Sequence, residues 1–389
     1  MSNKLPFARH EFIDRLTRMK HEMTRRGFDV AVLMDPSNIY YLTGYAGLSA
    51  YVPQGLIVDV EQEEPIFVTR MMDVKCAYHT AFMRPENVVG YPEDMIANEK
   101  GDGTDFLLDF MRGRSLLRRR IALEKGAYQL TLSAWDKFCN AGAAHPIGDC
   151  TRLVTWLRLI KSPAEIVYMR QAGEIADSAI MAAVEAIRPG VRQCDVGAAI
   201  LAAQARGLPG FGGDHAIQPN IGIGPKTDSP HLTWTDEPYQ LGQATTLELG
   251  GSRFRYVSGV SRTIQLGKPP RELVDLHEVT VAGMQAAVEA ARPGRVCGDV
   301  WDAFDAVIKP SRFEKTSRLG YSIGIDWLEW TASLQSGNRT ELVPNMTFHM
   351  ICGMWEQEGW GYVLSETFLV GDSGVESLSR SPRQLFVIA

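Results

Sequence analysis

The chain has 389 residues, 45% hydrophobic and 22% charged, a balance that fits a soluble globular protein long enough for two domains. Its net charge of −6 leaves no basic footprint, which argues against nucleic acid as a partner. No run reaches transmembrane length, no apolar signal core opens the sequence, and the six cysteines are scattered without a CxxC pair, so the expected compartment is cytoplasmic and reducing, with no membrane partner.

The first pattern along the chain is a charged amphipathic helix from Arg15 to Arg26, ended by Gly27. Phe28 to Met34 reads as a short buried strand, and Asp35-Pro36-Ser37-Asn38 as a turn before the aromatic run Ile39 to Tyr45. Leu56 to Val60 and Pro65 to Thr69 read as a hairpin. Strand and helix signals alternate to about Cys150, which predicts an α/β domain over residues 1–155. Ser162-Pro163 with Glu165 is a helix start, predicting a helix to about Ile187 and a second domain over residues 156–389.

The second domain repeats itself. Ala182-Ala-Val-Glu-Ala-Ile-Arg-Pro-Gly190, followed by Asp195-Val196, recurs as Ala286-Ala-Val-Glu-Ala-Ala-Arg-Pro-Gly294, followed by Asp299-Val300. Each copy is a helix broken by Pro-Gly and restarted at an acid, as two related halves of one domain would be.

Between the copies lies the most informative stretch, Asn220 to Leu266. It holds Pro230-His231, an apolar run Thr245 to Leu249 interrupted by Glu248, a Gly250-Gly251 pair that reads as a turn, and a second strand-like run through Ile264. An acid inside an apolar run is costly to bury unless it is paired or reactive. Glu248 and His231 are therefore the candidate catalytic pair. Further on, Glu329 and Glu366 stand among apolar neighbours, and six of the eight tryptophans fall after residue 230, Trp327 and Trp360 among them. Aromatic and acidic groups together suit a small cationic ligand. His215, after Gly212-Gly213-Asp214, is a lesser candidate.

Five blocks resemble the creatinase/aminopeptidase P/prolidase superfamily of pita-bread enzymes: Asp35 to Gly44, Leu159 to Glu165, Pro230-His231, Glu248 to Gly250 with Ser261-Arg262-Thr263, and Gly320 to Gly324. The resemblance implies an α/β N-terminal domain followed by an α+β pita-bread catalytic domain with an internal pseudo-twofold repeat. It also implies a homodimer in which the N-domain of one subunit contributes to the neighbouring site. The peptidase members carry five metal ligands. The resemblance puts these at Glu248, Gly259, Tyr321, Ile351 and Ser365, with Glu366 one place beyond the last. Glycine and isoleucine offer no donor, and serine and tyrosine are poor substitutes for glutamate and histidine. The expectation is a metal-free, cofactor-free site.

Within the superfamily, the runs Asn345 to Trp355 and Gly359 to Phe368 look most like the ectoine hydrolases, which open the cyclic amidine of a compatible solute to N-acetyl-diaminobutyrate. On that resemblance Glu248 is the nucleophile or general base and His231 the proton shuttle. Tyr321, Glu329, Glu366, Trp327, Trp360 and His215 are then substrate-binding candidates, and a deacetylase acts downstream. The alternatives are a creatinase-like amidinohydrolase on a linear guanidino acid, a metal-dependent Xaa-Pro peptidase, and a binding protein on a degenerate fold.

Overall fold

The computed structural model describes residues 5–99 and 101–389, which divide into two units between Arg158 and Leu159. In the first unit the strands are β1 (Val30–Leu33), β2 (Gly55–Asp59), β3 (Ile66–Arg70), β4 (Val88–Tyr91), β5 (Ile121–Leu123) and β6 (Gly148–Asp149), in the sheet order β4-β3-β2-β1-β5-β6. β1, β2 and β3 pair antiparallel, and β4, β5 and β6 join parallel to β3, β1 and β5. The helices are α1 (Arg9–Arg25), α2 (Pro36–Thr43), α3 (Val74–Thr80), α4 (Gly103–Gly113), α5 (Leu132–Cys139) and α6 (Leu153–Arg158). The sheet core is made by Val30, Val32, Ile57, Val68 and Leu123 with Leu107, Met111 and Phe138 of the helices.

Three expectations change here. α1 begins at Arg9 rather than Arg15, because its buried stripe of Phe12, Leu16, Met19 and Met23 extends the helical spacing upstream. Asp35 to Asn38 is a helix start, not a turn. Asp35 caps α2 by accepting the Asn38 backbone N–H at 2.8 Å, Pro36 takes the first helical position, and Gly44 closes the helix with φ of 81°. Burial along the whole of α2 outweighs the weak helix propensity of its aromatic and β-branched residues. The boundary lies beyond 155 because Arg158 is buried and donates to Asn38 Oδ1 at 2.8 Å, which ties α6 to the first unit.

The second unit has four helices, α7 (Pro163–Ala186), α8 (Gln193–Arg206), α9 (Arg271–Ala290) and α10 (Cys297–Ile308). Its sheet strands are β7 (Asn220–Ile223), β8 (Ala244–Arg253), β9 (Tyr256–Leu266), β10 (Gly320–Ser322), β11 (Ser333–Leu334), β12 (Thr347–Met354) and β13 (Tyr362–Val370). The order is β11-β10-β12-β13-β9-β8-β7, with β14 (Val375–Ser377) on β13 and β15 (Phe386–Ile388) on β9. Ser162 and Glu165 form a reciprocal capping box at the start of α7.

The two repeat copies become the α7–α8 and α9–α10 pairs, and their connections match bond for bond. The Gly190 N–H donates to Tyr239 O as Gly294 does to Leu342 O, and Gln193 to Glu237 O as Cys297 does to Thr340 O. Tyr239 N–H returns to Val191 O as Leu342 does to Arg295 O. Both Pro-Gly breakers sit in the left-handed region, at φ of 85° and 82°. Among the described residues no helix is long and apolar enough to cross a membrane.

Candidate active site

Strand alternation decides which side chains share a face of the second sheet. Leu247 and Leu249 of β8 and Val260 and Ile264 of β9 pack with α7 and α8, while Phe348, Met350 and Cys352 of β12 and Leu364 and Phe368 of β13 pack with α9 and α10. The opposite face therefore carries Glu248, Gly250, Gly259, Ser261, His349, Ile351 and Ser365. The pairings Glu248 with Ser261, Gly250 with Gly259, Ser261 with Ser365, Ile351 with Ser365, and Tyr321 with His349 bring these positions side by side.

The expected Gly-Gly turn lies elsewhere. The β8–β9 hairpin turns at Phe254 and Arg255, both at positive φ, and Gly250 and Gly251 are inside β8. They are glycines because neighbours come close. A Cβ on Gly250 would stand 2.6 Å from the Trp327 ring, and one on Gly251 2.1 Å from Ala172 O of α7. A Cβ on Gly259 would meet the same tryptophan at 2.8 Å and His349 at 3.1 Å. Trp327 thus lies over the place where the resemblance puts a second acid.

Glu248 is 7% exposed, and Asn220 Nδ2 of β7 donates to its Oε2 at 3.0 Å. Burial pushes its carboxyl above the ordinary value of 4.5, against the Asn220 hydrogen bond and the pull of the nearby His231 charge. His231 is on an exposed turn held back to β7 by a 2.7 Å hydrogen bond from Ile221 N–H to Leu232 O. The Tyr321 hydroxyl accepts from Trp327 Nε1 at 2.9 Å, and burial and the Glu248 charge raise its pKa. His349 sets its ring edge-to-face with both Trp327 and Tyr321, at 5.1 and 5.6 Å between centroids.

The structure thus gathers Glu248, His231, Tyr321 and Trp327. It also joins to them residues that the sequence reading left outside the candidate site. His349 Nε2 bonds Ser365 Oγ at 2.7 Å, and Ser365 Oγ donates to Ser261 Oγ at 2.7 Å. Burial lowers the His349 pKa to about 3, so its ring is neutral. With the Ser365 hydrogen directed at Ser261, Nε2 is the imidazole donor, and Nδ1 is a buried acceptor without a partner among the described residues. The available signal was two-residue spacing, since His349 shares its face with Ile351, and Asn220 with Gly222 opens the same stretch as Glu248.

Four expected ligand-binding residues are placed elsewhere. Glu366 is one residue out of phase with Ser365, so it lies on the helix-facing side. There it accepts from Arg262 at 3.1 Å and from Arg383 at 2.9 and 2.7 Å, with Ser377 on its second oxygen. Arg262 is therefore the partner of Glu366. Glu329 is buried, with Lys161 Nζ at 3.1 Å and the Ile325 N–H on its other oxygen. Trp360 packs edge-on to Phe313 against the α9–α10 core. His215 is on an exposed loop whose Asp214 is taken by Ser252 and Arg255.

A dinuclear metal pair does not fit these residues. Of the five ligand positions only Glu248 offers a carboxylate; Gly259 and Ile351 have no donor atom in their side chains, and the hydroxyls of Tyr321 and Ser365 are already hydrogen-bonded within the protein. Among the described residues no group of three or more His, Cys, Asp or Glu side chains could hold a metal ion.

The sequence profile of the creatinase/prolidase N-terminal domain matches residues 15–160, and that of metallopeptidase family M24 matches residues 167–372. An uncharacterized hydrolase/peptidase of Sinorhizobium fredii is 43% identical over 98% of each chain. An ectoine hydrolase of Halomonas elongata is 36% identical over 98% of each, and a Xaa-Pro dipeptidase of Pyrococcus furiosus 24% identical over 96% of this chain and 99% of that one. Among solved structures, the prolidase of Pyrococcus horikoshii matches with a TM-score of 0.81 at 20% identity, over 96% of this chain and 99% of that one. The X-Pro aminopeptidase of Thermotoga maritima gives 0.81 at 19% identity, with the same coverage, and at such identities the likeness speaks for the fold alone. The chain belongs to metallopeptidase family M24, as a pita-bread hydrolase preceded by a creatinase/prolidase N-terminal domain.

Proposed function

We propose that this chain is a metal-independent hydrolase that opens the cyclic amidine ring of ectoine to N-acetyl-L-2,4-diaminobutyrate. The observation that carries the reading is the lone buried Glu248, set beside Tyr321 and Trp327 where four of five ligand positions have lost their carboxylate or imidazole. Its similarity to the Halomonas elongata ectoine hydrolase supports the same substrate.

The chemistry follows from charge. A peptide carbonyl is neutral and gains from Lewis-acid polarisation. An amidinium is already cationic at its central carbon, so two dications would repel it and a carboxylate attracts it. In the nucleophilic route Glu248 adds to that carbon, and His231 gives a proton to the ring nitrogen as its C–N bond breaks. Water then displaces Glu248, leaving an amide at one end and an ammonium at the other. In the general-base route Glu248 takes a proton from the water that adds directly, and the same C–N bond breaks. Either route consumes one water and conserves the positive charge. An unmetallated carboxylate facing a cationic carbon favours the first.

The test is product NMR with ectoine on Glu248→Gln and His231→Ala, with intact-mass measurement of the wild type during turnover. Loss of turnover in the Gln variant and an adduct mass are expected. Full activity in both variants would sink the mechanism. Turnover that survives EDTA and gains nothing from manganese is expected, whereas a chelator-sensitive dipeptidase activity would replace this reading with a peptidase.

A further inference from the structure

Ectoine carries a carboxylate as well as an amidinium, so a site that recognises it needs a cation beside Glu248. Most cations near the site residues in the second unit are already committed. Arg262 and Arg383 hold Glu366, Lys161 holds Glu329, and Lys315 donates to Ser317 Oγ and Gly353 O.

Arg318 differs. It stands two residues before β10, half-buried, with its guanidinium 4.7 Å above the centroid of the Tyr321 ring. Among the described residues no carboxylate stands within ion-pair distance of it. Stacking on Tyr321 holds the planar fork in place while leaving its N–H donors for another acceptor. The Tyr321 hydroxyl feels Glu248 and Arg318 with opposite sign. An anion and a cation therefore both act on a single aromatic side chain, which carries Arg318 over its ring and is itself fixed by Trp327 Nε1.

We propose that Arg318 is the carboxylate anchor of this site, so that the pocket selects a zwitterionic cyclic amidino acid, with Glu248 at its cationic end and Arg318 at its anionic end. The inference rests on the proposed ring-opening activity. The guanidinium donates to the carboxylate oxygens, and the ring is thereby set with its amidine carbon toward Glu248.

The experiment compares wild type, Arg318→Gln and Arg318→Lys on ectoine and on the same ring without its carboxylate. Arg318→Gln is expected to raise KM for ectoine by roughly tenfold to a hundredfold, as loss of a charge-assisted hydrogen bond does, and to leave the carboxylate-free ring unaffected. Arg318→Lys recovers part of the loss. An equal effect on both rings, or none on ectoine, overturns the anchor while the ring-opening activity stands. Wild type inactive on both rings removes the activity and the anchor with it. Should the glutamine variant not fold, wild-type enzyme that takes ectoine and its methyl ester equally well also overturns the anchor.

Discussion

Burial raises the free energy of the charged form of Glu248, and two measurable consequences follow from that one shift. The folded chain binds this proton more tightly than the unfolded chain, so its contribution to stability falls as pH rises from the ordinary 4.5 through the raised native value. Glu248→Gln is therefore expected to melt no lower than wild type at pH 7, while its turnover falls roughly a thousandfold. A lower melting temperature would mean that the carboxylate is structural. The acid limb of kcat/KM is expected to inflect above 4.5, because the proposed mechanism needs the free enzyme ionised at Glu248. Glu366 bears on stability instead. Glu366→Ala leaves the buried Arg262 without its counter-charge, which costs roughly 3–5 kcal/mol in denaturant unfolding. The variant molecules that remain folded are expected to keep the proposed ring-opening activity. Glu248 was legible in the sequence because an acid interrupting an apolar run stands out. The partner of Arg262 was not, because both acids interrupt such runs and only strand phase separates them.

That phase belongs to the element. β8, β9, β12 and β13 each present alternate residues to the helices and to the site, so one residue of displacement along β13 exchanges Ser365 for Glu366. The strands themselves could be read from the sequence, and so could α7 with its capping box. The position of the β8–β9 turn could not, since Gly250 and Gly251 look like a turn but serve close approach of Trp327 and α7. α2 was hidden for a related reason: the burial that makes it a helix comes from distant chain. Restoring an acid at Gly259 tests the packing directly. Gly259→Asp drives its Cβ against Trp327 and His349 and is expected to lower stability by about 1–3 kcal/mol in urea unfolding, with no manganese-dependent peptidase activity gained. Recovery of such activity would show that the tryptophan yields.

At the scale of the second unit, the repeat read from Ala182–Gly190 and Ala286–Gly294 accounts for two helix pairs, two breakers and two matching sets of backbone bonds. Gly190→Ala and Gly294→Ala are expected to lower stability by similar amounts, about 1–2 kcal/mol each, since both force a Cβ into the left-handed region with no other neighbour in the way. Unequal losses in calorimetry would mean that the halves are not equivalent in their backbone demands. The residues of the site were legible at this scale only in part, because His349, Ser261 and Asn220 become neighbours through pairing of strands distant in sequence.

The matched backbones carry unmatched side chains. β8 follows Tyr239 as β12 follows Leu342, so Glu248 and Ile351 occupy corresponding seats in the two halves, one acidic and one inert. The proposed substrate, ectoine, has nearly equivalent nitrogens on either side of its amidine carbon. A symmetric scaffold would meet it alike from both directions and release either one. On the proposed activity, a scaffold whose duplicated seats have diverged in this way would hold the ring in a single sense, and the broken symmetry of the protein would set which bond is cut.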